Sequence, residues 1–131
     1  MKTISSLLFV VVMVSLTACA TKVKFPVSSV TPAANMYAIK GTDNQKNYTL
    51  KIVAENLASA ERISSSGNNY SVWIVTKNQG VKNVGQIDAQ NAKKNVFNTT
   101  TAFDFNEVFI TVENQSNLNY PQGKEIGRIR I

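Results

Sequence analysis

The sequence predicts an all-β domain, an antiparallel sandwich of about seven strands. Three observations predict it. Short apolar stretches are separated by clusters of Gly, Asn, Asp, Ser and Pro along most of the chain. Several of those stretches alternate residue by residue, with the two-residue period of a half-buried strand. One of them, Tyr70 to Lys77, carries apolar residues on both faces, which marks a central strand covered on both sides.

The elements follow in order. A short first strand is expected within Lys22 to Val27, where Pro26 permits only an edge position. Met36 to Lys40 is a strand ended by the turn-rich Gly41-Thr42-Asp43-Asn44. Tyr48, Leu50, Ile52 and Ala54 alternate with Thr49, Lys51, Val53 and Glu55. A helical spacing through Leu50, Val53, Leu57 and Ala60 competes there; the strand is preferred for the first half, with a loop or helical turn through Ser59 to Ser64. Ser64 to Asn69 is a loop around Gly67. Tyr70, Val72 and Ile74 share one face of the next strand, Trp73 and Val75 the other. Asn78-Gln79-Gly80 turns that strand into Val81 to Ile87, a hairpin. Asp88 to Lys94 is polar and loop-like, and Val96 to Thr101 and Ala102 to Phe105 are β-prone. Glu107 to Glu113 alternates with Val108, Ile110 and Val112 facing inward. Asn114 to Gly123 is a long polar loop, and Glu125 to Ile131 closes the chain as a strand.

The chain has 131 residues, one domain's worth. Its N-terminus reads as an address. Met1-Lys2 gives a minimal positive region, and Leu7 to Val14 is an unbroken apolar run, too short for the ~20 residues of a spanning helix. Leu16-Thr17-Ala18-Cys19 then resembles the lipobox of bacterial lipoproteins. The resemblance implies that the Cys19 thiol is alkylated with diacylglycerol and that the bond before it is cut, where the small Ala18 fits. An Ala-x-Ala cut at Ala18-Cys19-Ala20, leaving no lipid, is the competing reading. The expected organisation is therefore a signal peptide over 1–18, a lipidated N-terminus and tether over 19–35, and a β-sandwich over 36–131. The lipid would tie the protein to a membrane of the cell envelope. Ala20 stands where an Asp resembles an inner-membrane retention signal, which implies the outer membrane in a Gram-negative host.

The formal charge is +6, and +5 once Lys2 has left with the signal. The basic residues are scattered, with no run of the kind that marks a nucleic-acid patch, so no nucleic-acid partner is expected. The strand pattern fits an immunoglobulin-like sandwich, although two cysteines flanking a Trp are missing; Trp73 is read as core.

From Leu57 onward the order of features resembles the extracytoplasmic domain of anti-sigma-K-type factors. The resemblance rests on Tyr70-Ser71-Val72-Trp73-Ile74-Val75, Val84-Gly85, Ile110-Thr111-Val112-Glu113 and Pro121-Gln122-Gly123. It implies a sensory or structural β-domain and supplies no catalytic residue. The family's sigma-binding module and spanning helix have no counterpart in these residues.

No catalytic constellation is expected. There is no His, and the single Cys is assigned to the lipid. The common nucleophile pairs and the usual zinc ligands are then lacking, so neither a metal nor a cofactor is expected. Ser64 to Ser66 read as loop rather than as half of a Ser–Lys dyad. Asp104 and Glu107 read as solvated turn residues rather than a glycosidase pair. The best binding feature is Tyr120 in a polar loop beside Asn117, Asn119 and Gln122, since an aromatic ring flanked by amides is how lectin-like sites hold a sugar. The alternative is that Tyr120 only pins the loop to the sandwich. The sequence thus points to a non-enzymatic envelope lipoprotein whose partner is a protein or a glycan.

Replacing Cys19 with Ser should abolish incorporation of a fatty-acid probe in growing bacteria, because a hydroxyl is not alkylated by the lipid transferase. Equal labelling of Cys19→Ser and the parent would refute the anchor.

Overall fold

A computed structural model describes residues 20–78 and 80–131 of the chain; the signal peptide expected over 1–18 and the lipidation expected at Cys19 lie outside the described residues. Among the described residues, eight strands and one helical turn form in the order β1 (Thr21–Lys24), β2 (Asn35–Thr42), β3 (Tyr48–Glu55), α1 (Ala60–Ile63), β4 (Asn69–Thr76), β5 (Val81–Ile87), β6 (Lys94–Thr101), β7 (Phe105–Glu113) and β8 (Lys124–Arg130). They make two antiparallel four-stranded sheets, β1-β2-β3-β6 and β5-β4-β7-β8. The order β2-β3-β6 against β5-β4-β7-β8 is that of strands A-B-E against C′-C-F-G in an immunoglobulin-like sandwich, with β1 added beyond β2. β1 is the short first strand read within Lys22 to Val27, and with it the strands number eight against about seven expected.

The alternation read from the sequence decides which face each strand buries. Met36 and Ala38 of β2, Leu50, Ile52 and Ala54 of β3, Tyr70, Val72 and Ile74 of β4, and Val108, Ile110 and Val112 of β7 all enter one shared core. The helical alternative through Leu50 to Ala60 loses because β3 pairs along its full length with both β2 and β6. Only the single turn α1 forms after it, inside the Ser59 to Ser64 stretch where a loop or helical turn was expected. Ala102 to Phe105 does not form a strand of its own. Its first three residues bend the chain between sheets, and Phe105 starts β7.

Residues 20–35, expected as a tether, are folded onto the domain. Only Ala20 precedes β1 among the described residues. The Phe25 ring is 3% exposed, and the Phe25 N–H donates to the Met36 carbonyl at 2.9 Å. The Ser28 hydroxyl accepts from the Val30 and Thr31 amides, which curls the segment back toward β2. An apolar ring with a core to enter overrides the loose composition of this stretch. The two sheets and their core lie wholly within residues 20–131, so this segment carries the fold.

One feature shapes the corner where β5 meets β6. Val72 pairs with Gly85 and Trp73 with Asn83, so β5 bulges by one residue at Val84. Gly85 takes φ +142°, and a Cβ there would lie 2.7 Å from the Phe97 ring of β6. Glycine is needed both for that backbone angle and for the close approach of the ring.

At the end of the sandwich near Thr21, the Lys40 ammonium points inward. It donates to Asp104 at 3.0 Å and to the Phe105 carbonyl, and sits 4.5 Å from the centre of the Phe105 ring. Lys77 approaches the other Asp104 oxygen at 3.5 Å. The Lys40 hydrogen bond, helped by the charges of Lys40 and Lys77, holds the Asp104 carboxyl below its ordinary value of 3.8.

A carboxyl with a lowered value in the folded state stabilises the fold above its unfolded value. That contribution disappears as the pH falls through the folded value. Asp104→Asn should therefore flatten the loss of thermal stability on acidification below about pH 4. Melting curves across that range check it; an unchanged acid limb would contradict the role of the Lys40–Asp104 pair.

Candidate functional site

The expected binding loop, Asn114 to Gly123, joins β7 to β8 at the end of the sandwich opposite Thr21. It is built on an outer face of unusual composition. The row Asn83, Trp73, Phe109 and Arg128 crosses the outer face of the β5-β4-β7-β8 sheet as direct cross-strand partners. Trp73 and Phe109 stack with centroids 6.1 Å apart and planes 13° from parallel. The Arg128 guanidinium lies 4.0 Å over the Phe109 ring and is held by Glu107 at 2.7 Å and Glu125 at 2.6 Å. Trp73 is fully buried, as the sequence implied, but on this outer face rather than between the sheets.

A chain of hydrogen bonds links this aromatic pair to the loop. The Trp73 indole N–H donates to the Thr111 hydroxyl at 2.8 Å, and that hydroxyl donates to a Glu113 carboxylate oxygen at 2.5 Å. The directions are forced, because an indole nitrogen only donates and a carboxylate only accepts. The Glu113 carboxylate also accepts the backbone N–H of Gln122, at 3.3 Å from each oxygen. Glu113 is 2% exposed and forms no ion pair among the described residues. At Gly123 the loop backbone runs hard against β7: a Cβ there would lie 1.6 Å from the Val112 carbonyl oxygen, so no side chain fits. Further up the loop the Asn83 amide donates to the Leu118 carbonyl at 3.0 Å. Asn117, at φ +60°, supplies the left-handed turn that brings Leu118 there.

The loop is thus tied at its middle by Asn83 and at its close by Glu113. Tyr120 lies between the two ties and is 64% exposed, so it does not pin the loop. The four expected site residues are not brought into one pocket. Asn117 and Asn119 line a polar cleft of about 480 Å³ together with Asn83, Thr99 and Thr101. Gln122 lines a different cleft of about 340 Å³, with Glu113, Ser64, Ser66 and Lys124. Tyr120 lines neither and stands out from the loop.

The residues discarded as catalytic are separated by the structure. Asp104 is held by Lys40 and Lys77, whereas Glu107 is held by Arg128. The Ser64 and Ser66 hydroxyls are 3.3 Å apart, and neither bonds to a lysine. Tyr70 is a structural residue of this end: its hydroxyl donates to the Ala58 carbonyl at 2.6 Å, and burial pushes its pKa up to about 12.

Sequence reading missed Thr111, Glu113 and Asn83. Thr111 and Glu113 fall on the strand face that the alternation of Val108, Ile110 and Val112 left to solvent, and Asn83 lies in a hairpin strand whose faces were not assigned. The available signal was Trp73 itself, since a large apolar side chain opposite the core face requires a cover. Compared with family models, with curated proteins and with solved structures, the chain matches none.

Thr111→Val keeps the shape of the side chain but removes the hydroxyl that joins Trp73 to Glu113. It should destabilise the domain by about 1–3 kcal/mol, the cost of leaving buried polar groups unpaired. Trp73 is the only Trp of the chain, so its fluorescence during urea unfolding reads this site directly. Thr111→Ser, which restores the hydroxyl, should recover most of the loss; an equal loss in both variants would assign the effect to packing.

Proposed function

We propose that this chain is a non-enzymatic, lipid-anchored envelope protein whose sandwich presents the Asn114 to Gly123 loop as a contact surface facing away from the membrane. One observation supports this most. The described chain begins at one end of the sandwich, where Thr21 pairs with Lys40, and the loop projects from the other, beyond the Asn69–Glu113 pair. An anchor on Cys19 then leaves the loop roughly 25 Å from the bilayer, the length of an eight-residue strand. The lipobox of Leu16 to Cys19 supports the anchor.

A glycan partner is favoured over a purely apolar protein contact by the exposed Tyr120 ring. Flanked by Asn119 and near Asn117, it offers a stacking face with amide donors and acceptors close by. The loop is fastened from beneath, so its side chains need little ordering on binding. The resemblance to the extracytoplasmic domain of anti-sigma-K-type factors is compatible with a sensory use of the same surface.

Tyr120→Ala should leave the melting temperature within a degree or two and weaken binding to peptidoglycan or its soluble fragments by roughly tenfold, the scale of one lost aromatic contact. Pull-down on insoluble peptidoglycan and titration calorimetry with fragments measure it. Equal binding by parent and variant would remove the loop from the site, and no binding by either would remove the glycan reading.

A further inference from the structure

The positive charge of the domain is concentrated at one end. Strand pairing assigns every loop to an end. The end where the described chain begins also holds the β2–β3 turn, the β4–β5 turn and the β6–β7 bend, as the pairs Thr21–Lys40, Thr42–Tyr48, Tyr48–Thr101 and Thr76–Phe105 show. The two sheets meet there through the Tyr48 and Phe105 rings, 6.5 Å apart. Among the described residues, six cations (Lys22, Lys40, Lys46, Lys77, Lys82 and Arg130) stand at this end against three carboxylates, Asp43, Asp104 and Glu107, the last paired across strands with Arg130. The loop end carries five cations (Lys24, Arg62, Lys93, Lys94 and Lys124) against five carboxylates (Glu55, Glu61, Asp88, Glu113 and Glu125). The balance is +3 against 0, in a domain whose scattered sequence positions gave no hint of it.

Lys40 and Lys77 share Asp104. Lys22, Lys46, Lys82 and Arg130 have no carboxylate partner among the described residues. The same end exposes two apolar side chains, Val81 at 40% and Phe103 at 38%, and the Lys82 ammonium sits 4.6 Å over the Phe103 ring. A lysine over an exposed aromatic ring, with further cations at the same end, matches a surface of phosphate headgroups above hydrocarbon: the ammonium groups meet the phosphates while the ring enters the interface. Ala20, the first described residue, precedes β1 at this end.

We propose that this end docks on the headgroups of an anionic phospholipid bilayer, as a second membrane contact beside the lipid on Cys19. The inference takes its orientation from the anchored reading above, but its charge and exposed ring are independent of acylation. A basic patch added to an acyl anchor makes attachment stable, and here it would also hold the sandwich upright, with the Tyr120 loop outward.

The test uses the unlipidated segment 20–131, flotation with phosphatidylglycerol-rich vesicles and with pure phosphatidylcholine vesicles, and two triple variants of equal charge change. Lys46→Glu, Lys77→Glu and Lys82→Glu act at the docking end; Lys93→Glu, Lys94→Glu and Lys124→Glu act at the loop end. The parent should bind the anionic vesicles, release them in high salt and ignore the neutral ones. The first triple variant should lose roughly 100-fold or more, since each basic residue at an anionic surface contributes about fivefold. The second should stay close to the parent. Phe103→Ser should weaken binding with the charge untouched. The set Lys46→Gln, Lys77→Gln and Lys82→Gln guards against misfolding and should show a smaller loss in the same direction. Absence of vesicle binding, or equal loss in the two charge-reversed variants, would overturn the proposal. So would tight binding to heparin with none to vesicles, which would make a soluble polyanion the ligand. Because segment 20–131 lacks Cys19, failure here leaves acylation standing, and a negative fatty-acid label would leave this binding intact.

Discussion

The structure depends on covering Trp73. An indole on the outer face of a sheet exposes a large apolar surface, and water on that face would also compete for its N–H. The sandwich meets both demands with one arrangement. Phe109 stacks on the ring, the Thr111 hydroxyl takes the N–H, and the Glu113 carboxylate takes the Thr111 proton and holds the Gln122 amide. The loop after β7 is thereby tied to the middle of the sheet. A buried carboxylate without an ion-pair partner is costly unless its oxygens are hydrogen-bonded, and here donors from a side chain and from the loop backbone supply those bonds. The same contacts that cover the indole therefore fix the candidate binding loop.

That dependence connects packing to the proposed function. A loop fastened at Leu118 and Gln122 leaves Asn119 and Tyr120 between two fixed points, so the exposed ring is presented by a rigid support. At the other end, Lys40 and Asp104 close the sandwich beneath the Phe105 ring, Lys77 shares that carboxylate, and Lys82 lies over the exposed Phe103 ring. Adjacent antiparallel strands put Thr21, at the start of β1, and the Asn114 to Gly123 loop at opposite ends. The polarity proposed for the molecule follows from that topology and from the uneven charge.

Much of the fold was legible because the two-residue alternation of β3, β4 and β7 is strong and the turns between strands are rich in Gly, Asn and Asp. The core face of β7 was assigned correctly, whereas β4, apolar on both faces, left open which face meets the other sheet, and Trp73 was read as core although it lies on the outer face. The Phe25 segment was not legible: Pro26, Pro32 and several small polar residues gave it the composition of a tether, and only the three-dimensional core provides a place for its ring. The outer network was not legible either. Thr111 and Glu113 occupy strand positions that alternation gives to water, and what removes the water is a loop whose path the sequence does not specify. Tyr120 was identified as the loop's aromatic, but its companions Asn117, Asn119 and Gln122 diverge into two clefts because the backbone turns at Asn117 and is drawn back at Gln122.

Amide hydrogen exchange at Gln122 tests the central claim most directly. If the Glu113 carboxylate holds this amide as part of the cover over Trp73, its exchange should be slowed to the range of the neighbouring β7 amides, far below that of Asn114 to Ser116 in the same loop. Thr111→Val should release it selectively while the β2 and β3 amides keep their protection. Exchange at Gln122 as fast as at Asn114 to Ser116 in the parent protein would contradict the account, since the loop would then be free of the sheet it is said to cover.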